Sequence, residues 1–289
     1  MDRLSFSEQC FIIQGIKDNI RNDARTRLDY RYFSIETGIL PQTNGSSRLR
    51  LAGTEIVVGI KTEIGEPLKE SPNDGRIEVS VECTFSTSER RSKEVLNQEI
   101  TAMMQKIYSG GKAIDLTNLS ILKEKKCWIL YIDVLVLRSD GNLFDGVSLA
   151  IKAALFNTRI PKVQVVPGER SGEIEIEVFD EQQSEKINIK NVPICVTISQ
   201  VSGFVVIDTT VYEELCIDSS LVVAIDSSSN LFGIRKYGND GIESSSLIEI
   251  INLASKAGQN LHARLDSLLQ FEEKNRIQNS LDLDFIHQK

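Results

Sequence analysis

Residues 127–163, CWILYIDVLVLRSDGNLFDGVSLAIKAALFNTRIPKV, decide how the chain folds. Cys127 to Leu137 is nearly continuous in apolar residues, the mark of a strand buried on both faces. Asp140-Gly141-Asn142 is turn chemistry. Leu143 to Phe156 then reads as a helix, and Lys162 to Val166 returns to strand. The pattern is βαβ around a buried strand.

Toward the N-terminus, Ile77 to Phe85 alternates strictly, with Ile77, Val79, Val81, Cys83 and Phe85 on the core face. Ser92 to Tyr108 has helical spacing and ends at Gly110-Gly111. Tyr30–Glu36, Ser47–Leu51 and Glu55–Glu63 are short β-rich runs, with Asn44-Gly45 as the hairpin-turn pair between the first two. Ser7 to Asn19 opens the chain as a helix. Toward the C-terminus, the acidic-faced strand Glu173–Val178 and the polar stretch Asp180–Ser184 precede strands at Pro193–Ser199, Gly203–Asp208, Leu221–Asp226 and Leu231–Tyr237. A long helix follows, with Leu247, Ile250, Ile251, Ala254, Leu261, Leu265 and Leu269 on its apolar stripe.

These elements define an α+β protein with mixed sheets and packed helices in two halves, each ending strands with a packing helix, a hint of pseudo-symmetry. The divisions are an N-terminal helix (1–20), a first half (21–167), a connecting segment (168–190), a second half (191–271) and a charged tail (272–289) expected to be disordered in isolation.

Composition narrows the function classes. The chain has 289 residues, 41% hydrophobic and 26% charged, enough to bury a core. Its formal net charge of -8 repels a phosphate backbone on average, so nucleic-acid contact needs a local basic patch or a basic partner. Five dispersed cysteines without a C-x-x-C pair argue against a disulfide framework and a zinc site, and for a reducing compartment. Two histidines exclude a multi-histidine metal centre. MDRLSFSEQ has no signal pattern, and no apolar run approaches the ~20 residues of a membrane span.

Several segments together resemble the RNase PH family: IRNDAR (20–25), NGSSRLRLAGTEIVVGIKTEIGEP (44–67), residues 127–163, NVPICVTI (191–198) and VIDTTVYEEL (206–215). The likeness covers residues 20–270, most specifically 127–163. It implies the RNase PH-like fold (ribosomal protein S5 domain 2-like) and a place in the six-membered ring of an RNA exosome, beside other RNase PH-like subunits. It implies RNA-binding cap subunits, separate exoribonucleases as associates, single-stranded RNA threading the channel, and no cofactor. Nucleus, nucleolus and cytoplasm are the implied locations, and RNA processing, of ribosomal RNA among others, the implied process.

Phosphorolysis needs an anion cradle, typically a helix N-terminus after a strand, and a carboxylate that acts as acid or holds a metal. The cradle location is 140–145, where Asn142 is expected to cap the helix and Asp145 to reach back in a capping-box-like arrangement. Asp140 and Asp145 would set negative charge beside any phosphate, and that repulsion reaches several kcal/mol at close range. Active members of the family carry small and hydroxyl residues with an arginine here, so Asp140, Asn142 and Asp145 read as a degenerate phosphate site. The position of the catalytic aspartate falls on Ser220 in CIDSSLVVA, or on Asp218 if the register slips by two. The first reading is therefore a non-catalytic ring subunit. The alternative is an active phosphate-dependent 3'-5' exoribonuclease using Asp208, Asp218 or Glu214, and a third reading is an independent RNA-binding module.

Asp208, Glu213 and Glu214 match a shared family pattern, and such carboxylates at a strand end more often cap a turn or face solvent. Arg90, Arg91 and Lys93 form a basic cluster where relatives place arginines facing the RNA path; Arg48 and Arg50 form a second pair. Ser46-Ser47 reads as hairpin, not phosphate loop. A Cys127 or Cys216 dyad with His262 is outweighed by packing roles.

Overall fold

A computed structural model describes residues 4–84, 90–167, 174–179, 184–238 and 240–287, with backbone alone at 90–92, 167, 174–175 and 276–287. Helix α1 (Phe6–Lys17) precedes strands β1 (Phe33–Thr37), β2 (Gly45–Leu51), β3 (Thr54–Gly65) and β4 (Arg76–Cys83). Helix α2 (Arg90–Tyr108) and a short 3-10 turn (Leu116–Leu119) lead to β5 (Ser120–Leu122), β6 (Lys126–Arg138) and α3 (Leu143–Asn157). The link between halves holds β7 (Arg159–Pro161), β8 (Val163–Pro167), β9 (Ile174–Val178) and β10 (Ser184–Lys186). The second half comprises β11 (Ile194–Val201), β12 (Phe204–Ile207), the single turn α4 (Val211–Glu214), β13 (Ser219–Ile225), β14 (Leu231–Gly238) and α5 (Ser244–His287).

The first sheet runs β1-β2-β3-β6-β4, with β5 beside β6; the second runs β12-β11-β13-β14 and is antiparallel throughout. The parallel pair is β4 with β6, joined through α2. The βαβ unit is thus β4–α2–β6, and the expected unit β6–α3–β8 does not form: β8 pairs with β9 instead. The reason is that β6 already has β3 on one side and β4 on the other, so the chain leaving α3 meets no free edge beside it.

Helix α3 is buried on all sides from Leu143 to Leu155, apart from the half-buried Phe144, because it packs on β2 and β3 of one sheet and β11 of the other. Small residues allow that approach. A Cβ on Gly146 would lie 2.9 Å from Ile56 Cδ1, and one on Gly45 would lie 2.1 Å from Thr158 Oγ1, at the end of α3. Gly45 is therefore a packing glycine inside β2, not half of a two-residue turn; the β1–β2 hairpin closes through the longer segment 38–44. Asn44 instead accepts from Thr62 N at 2.9 Å.

The edge strand β4 is shielded by side chains of α2. Gln105 accepts from Val79 N and donates to Ile77 O, both at 2.7 Å, while Thr101 and Asn97 accept from Val81 N and Cys83 N. Spaced four apart, these three residues follow one face of the helix and occupy the strand's outward groups. Helix α5 packs on β11 and β13. It continues through His287, where the sequence suggested a disordered tail from 272. No glycine or proline follows Gly258 to break it, and Glu272 accepts from Thr37 N at 2.7 Å while Glu273 pairs with Lys186.

Candidate functional site

The site lies where α3 starts. Gly141 (φ +85°) and Asn142 (φ 56°) are consecutive left-handed residues that turn the end of β6 into the helix. A Cβ at Gly141 would sit 2.6 Å from Thr209 O. At this φ the side chain of Asn142 makes no cap bond. Its Nδ2 donates instead to Asp145 Oδ2 (3.0 Å) and Asp208 Oδ1 (2.7 Å), so the expected capping box is absent. The amide that opens the helix, Asn142 N, donates to Glu214 Oε1 at 2.7 Å. A carboxylate of the protein's own chain thus occupies the electropositive end of α3.

Asp145 points into the protein. It is fully buried and accepts from Tyr30 Oη (2.6 Å), Thr197 Oγ1 (2.7 Å), Thr197 N (3.1 Å) and Asn142 Nδ2. Burial pushes its carboxyl up to about 6, although each of those bonds pulls it back. Its charge is therefore spent on the contact between α3 and β11, not aimed at the cleft.

Asp208 and Glu213 are bound by arginines from the segment after α1. Asp208, fully buried, accepts from Arg31 Nε (3.0 Å), Arg31 NH2 (2.8 Å), Arg31 N (2.7 Å) and Arg25 NH1 (2.9 Å). Burial raises its carboxyl, but the Arg31 bonds outweigh that and the net shift is downward. Glu213 accepts from Arg21 Nε at 2.7 Å and also closes a capping box with Thr210. Glu214 is exposed as a residue, yet its carboxyl is crowded by protein, and that desolvation raises it to about 7; Asn142 N and Arg31 oppose the rise, while Asp140 and Asp208 add to it. Over this network lies a cleft of about 610 Å³ whose lining includes Arg25, Tyr30, Arg31, Tyr32, Arg50 and Asp140.

Ser220 lies in mid-sheet between Ser199 on β11 and Tyr237 on β14, its cross-strand partners. Tyr237 stacks on Phe144 of the first turn of α3 at 4.8 Å, so this row of hydroxyls faces the start of the helix. Asp218, the other candidate for the catalytic position, accepts from Ser202 N at 2.6 Å in the β11–β12 turn. Position 220 therefore offers a hydroxyl, and Asp218 is engaged elsewhere.

The remaining candidates have structural placements. Ser46 Oγ accepts from Leu40 N and Ser47 Oγ donates to Ala150 O, both serines being buried. Arg48 and Arg138 hold Glu55 down at about 2, Arg138 contributing most, and Arg50 lies 3.5 Å from the same carboxylate. Glu55 is covered by these guanidinium groups more than by core. His262 has both nitrogens engaged: Nδ1 with Lys152 Nζ (2.7 Å) and Nε2 with Ile225 O (3.0 Å), and burial lowers it to about 4. Cys127 is buried and Cys216 donates to Tyr212 O at 3.7 Å, so no cysteine–histidine dyad forms. The side chains of Arg90 and Arg91 lie outside the described residues, and Lys93 is half-buried near Cys83. Among the described residues, no group of three or more His, Cys, Asp or Glu side chains could hold a metal ion.

Residues 29–161 match the model of the 3' exoribonuclease family, domain 1, and residues 191–257 match its domain 2. The chain belongs to this family, with the RNase PH-like fold. It is 37% identical to the putative exosome complex exonuclease RRP42 of Dictyostelium discoideum, over 93% of this chain and 99% of that one. It is 28% identical to the exosome complex component Rrp42 of Methanopyrus kandleri, over 93% and 99%. Its backbone superposes on a chain of the Archaeoglobus fulgidus exosome with RNA bound to the active site at a TM-score of 0.74, with 26% identity, covering 89% of this chain and 97% of that one.

Proposed function

We propose that the chain is an Rrp42-like ring subunit of an exosome that supports 3'-5' RNA processing and degradation without cleaving RNA itself. The relatives are named as exosome components, one of them as a putative exonuclease, so the names leave the activity of this chain open. The geometry at α3 carries the inert reading. Glu214 fills the helix end where an attacking phosphate would bind, and Ser220 puts a hydroxyl where a catalytic carboxylate would face it. A site already holding an internal anion binds a second only by displacing it.

In this reading the partners are other RNase PH-like subunits in a six-membered ring, RNA-binding cap subunits and associated exoribonucleases. Single-stranded RNA passes through the assembled channel, with Arg90, Arg91 and Lys93 as its contacts on this chain. The sites of action are nucleus, nucleolus and cytoplasm, with ribosomal RNA among the substrates processed. The test is incubation of the purified chain, alone and within its ring, with single-stranded RNA and inorganic phosphate. No nucleoside diphosphates attributable to this chain are expected. Release by the chain alone, abolished by Glu214→Ala or Asp218→Asn, would establish the active exoribonuclease instead.

A further inference from the structure

Strands β8 and β9 form a two-stranded ribbon that pairs with no other strand among the described residues. The register sets Val163 opposite Val178 and Val165 opposite Ile176, so these four side chains share one face, while Gln164 and Glu177 share the other. Only Val163, at the base, packs on the main core. Val165 is 43% exposed, Val178 51% and the adjoining Phe179 37%. Neither strand makes more than marginal contact with any other element. An isolated ribbon of this kind is barely stable in water, and a contiguous apolar face on a soluble chain marks an interaction surface.

Charge decides what covers it. Glu177 makes no ion pair among the described residues, and glutamates recur at 173, 175 and 177 in the sequence. A second copy of this chain, at net charge -8, would bring one acidic ribbon against another. We propose that the β8–β9 ribbon is a docking arm for a different protein subunit whose contact patch is apolar at its centre and rich in lysine and arginine at its rim. The proposal deepens the ring-subunit reading and takes from it the partners to be tried.

The test uses the full chain carrying Val178→Glu, Val165→Glu or Glu177→Lys, mixed singly with each of its RNase PH-like sister subunits and cap subunits. Both valines are well exposed, so unchanged thermal unfolding shows that the variants fold. One partner is expected to lose about tenfold in affinity with either glutamate, the effect of a single interface side chain. Glu177→Lys is expected to weaken the same partner, with a shallower salt dependence than wild type. As a measurement needing no variant, amides 176–179 should exchange hydrogen about tenfold more slowly in the assembly than in the free chain. A ring that forms with unaltered affinity and unaltered exchange overturns the arm and leaves the ring reading standing. Self-association of the wild type lost in Val178→Glu makes the occupant a second copy and overturns it too. A chain that joins no sister subunit overturns both.

Discussion

Replacing Arg31 by methionine is expected to cost the protein about 3–5 kcal/mol at neutral pH, because it leaves a buried carboxylate short of its main partner. Arg31 is 5% exposed, and its side chain donates to Asp208 at 3.0 and 2.8 Å and to Asp140 O at 2.7 Å. Bonds to a charged group contribute about 1.5–3 kcal/mol each, so the two to Asp208 alone are worth about 3–6. Asp208 keeps Arg25, Asn142 and the Arg31 amide, which places the loss in the lower part of that range. A loss near 4 kcal/mol lowers Tm by about 8–16 °C in a chain of this size class. The sign with pH follows from linkage. In the wild type, Asp208 has a depressed carboxyl and stabilises the fold above its unfolded value, a contribution lost as pH falls through the folded one. Without Arg31, burial dominates and the carboxyl rises, so protonation relieves the damage and the gap to wild type narrows from pH 7.5 to pH 5. Asp208→Asn added to Arg31→Met should recover part of the loss. Thermal and urea unfolding by circular dichroism measure all three proteins. A deficit under about 1 kcal/mol, or one that widens on acidification, refutes the reasoning.

Three further outcomes follow from the same geometry. Gly45→Ala, which drives a Cβ to 2.1 Å from Thr158 Oγ1 and 2.8 Å from Ala154 O, should destabilise by about 1–3 kcal/mol through forced separation of β2 and α3, read as a lower urea midpoint at constant slope. His262, held at about 4 in the fold, contributes stability above its unfolded value near 6.5 that is lost as pH falls toward 4; His262→Gln, which can still meet Lys152 and Ile225 O, should flatten that loss by about 2–3 kcal/mol at pH 4 in pH-dependent unfolding. Glu214 is raised to about 7, so the folded state takes up a proton between its unfolded value and neutrality and stability falls as pH rises through that window; Glu214→Gln should remove this slope, and a carboxyl resonance titrating near 7 should vanish from the NMR spectrum.

Much of the fold was legible because its signals are local. The alternation over 77–83, the apolar run at 127–137 and the stripe from Leu247 to Leu269 each match a strand or helix of the structure, since period and apolar content reflect burial directly. What failed was long-range. Nothing near β6 says that both of its edges are taken, and the Asn44-Gly45 pair mimics a turn while serving a contact with Thr158, more than a hundred residues away. The site was misread for the same reason. Asp145 looks like a helix-cap residue by spacing, yet it faces Thr197 and Tyr30, and Glu214 reaches the amide of Asn142 from another element altogether. The arginines of IRNDARTRLDYR were visible as charge, but their carboxylate partners lie 177 to 192 positions along the chain.

Those distant pairs explain how the start of α3 can be both rigid and inert. Arg21, Arg25 and Arg31 bind Glu213 and Asp208 on the second half, while Asn142 and Asp145 of the first half reach Asp208 and Thr197 across the same junction. A group that acts on a passing phosphate must have charge or hydrogen-bonding capacity left over in its ground state. Here Asp145 and Asp208 are fully buried and multiply bonded, Glu213 is committed to Arg21 and Thr210, and Glu214 answers the helix amide. The capacity that could have bound a moving substrate is used to hold the two halves in one fixed relation. That relation is what a ring subunit must supply to its neighbours, because any play between its halves would pass directly into the width of the channel they enclose.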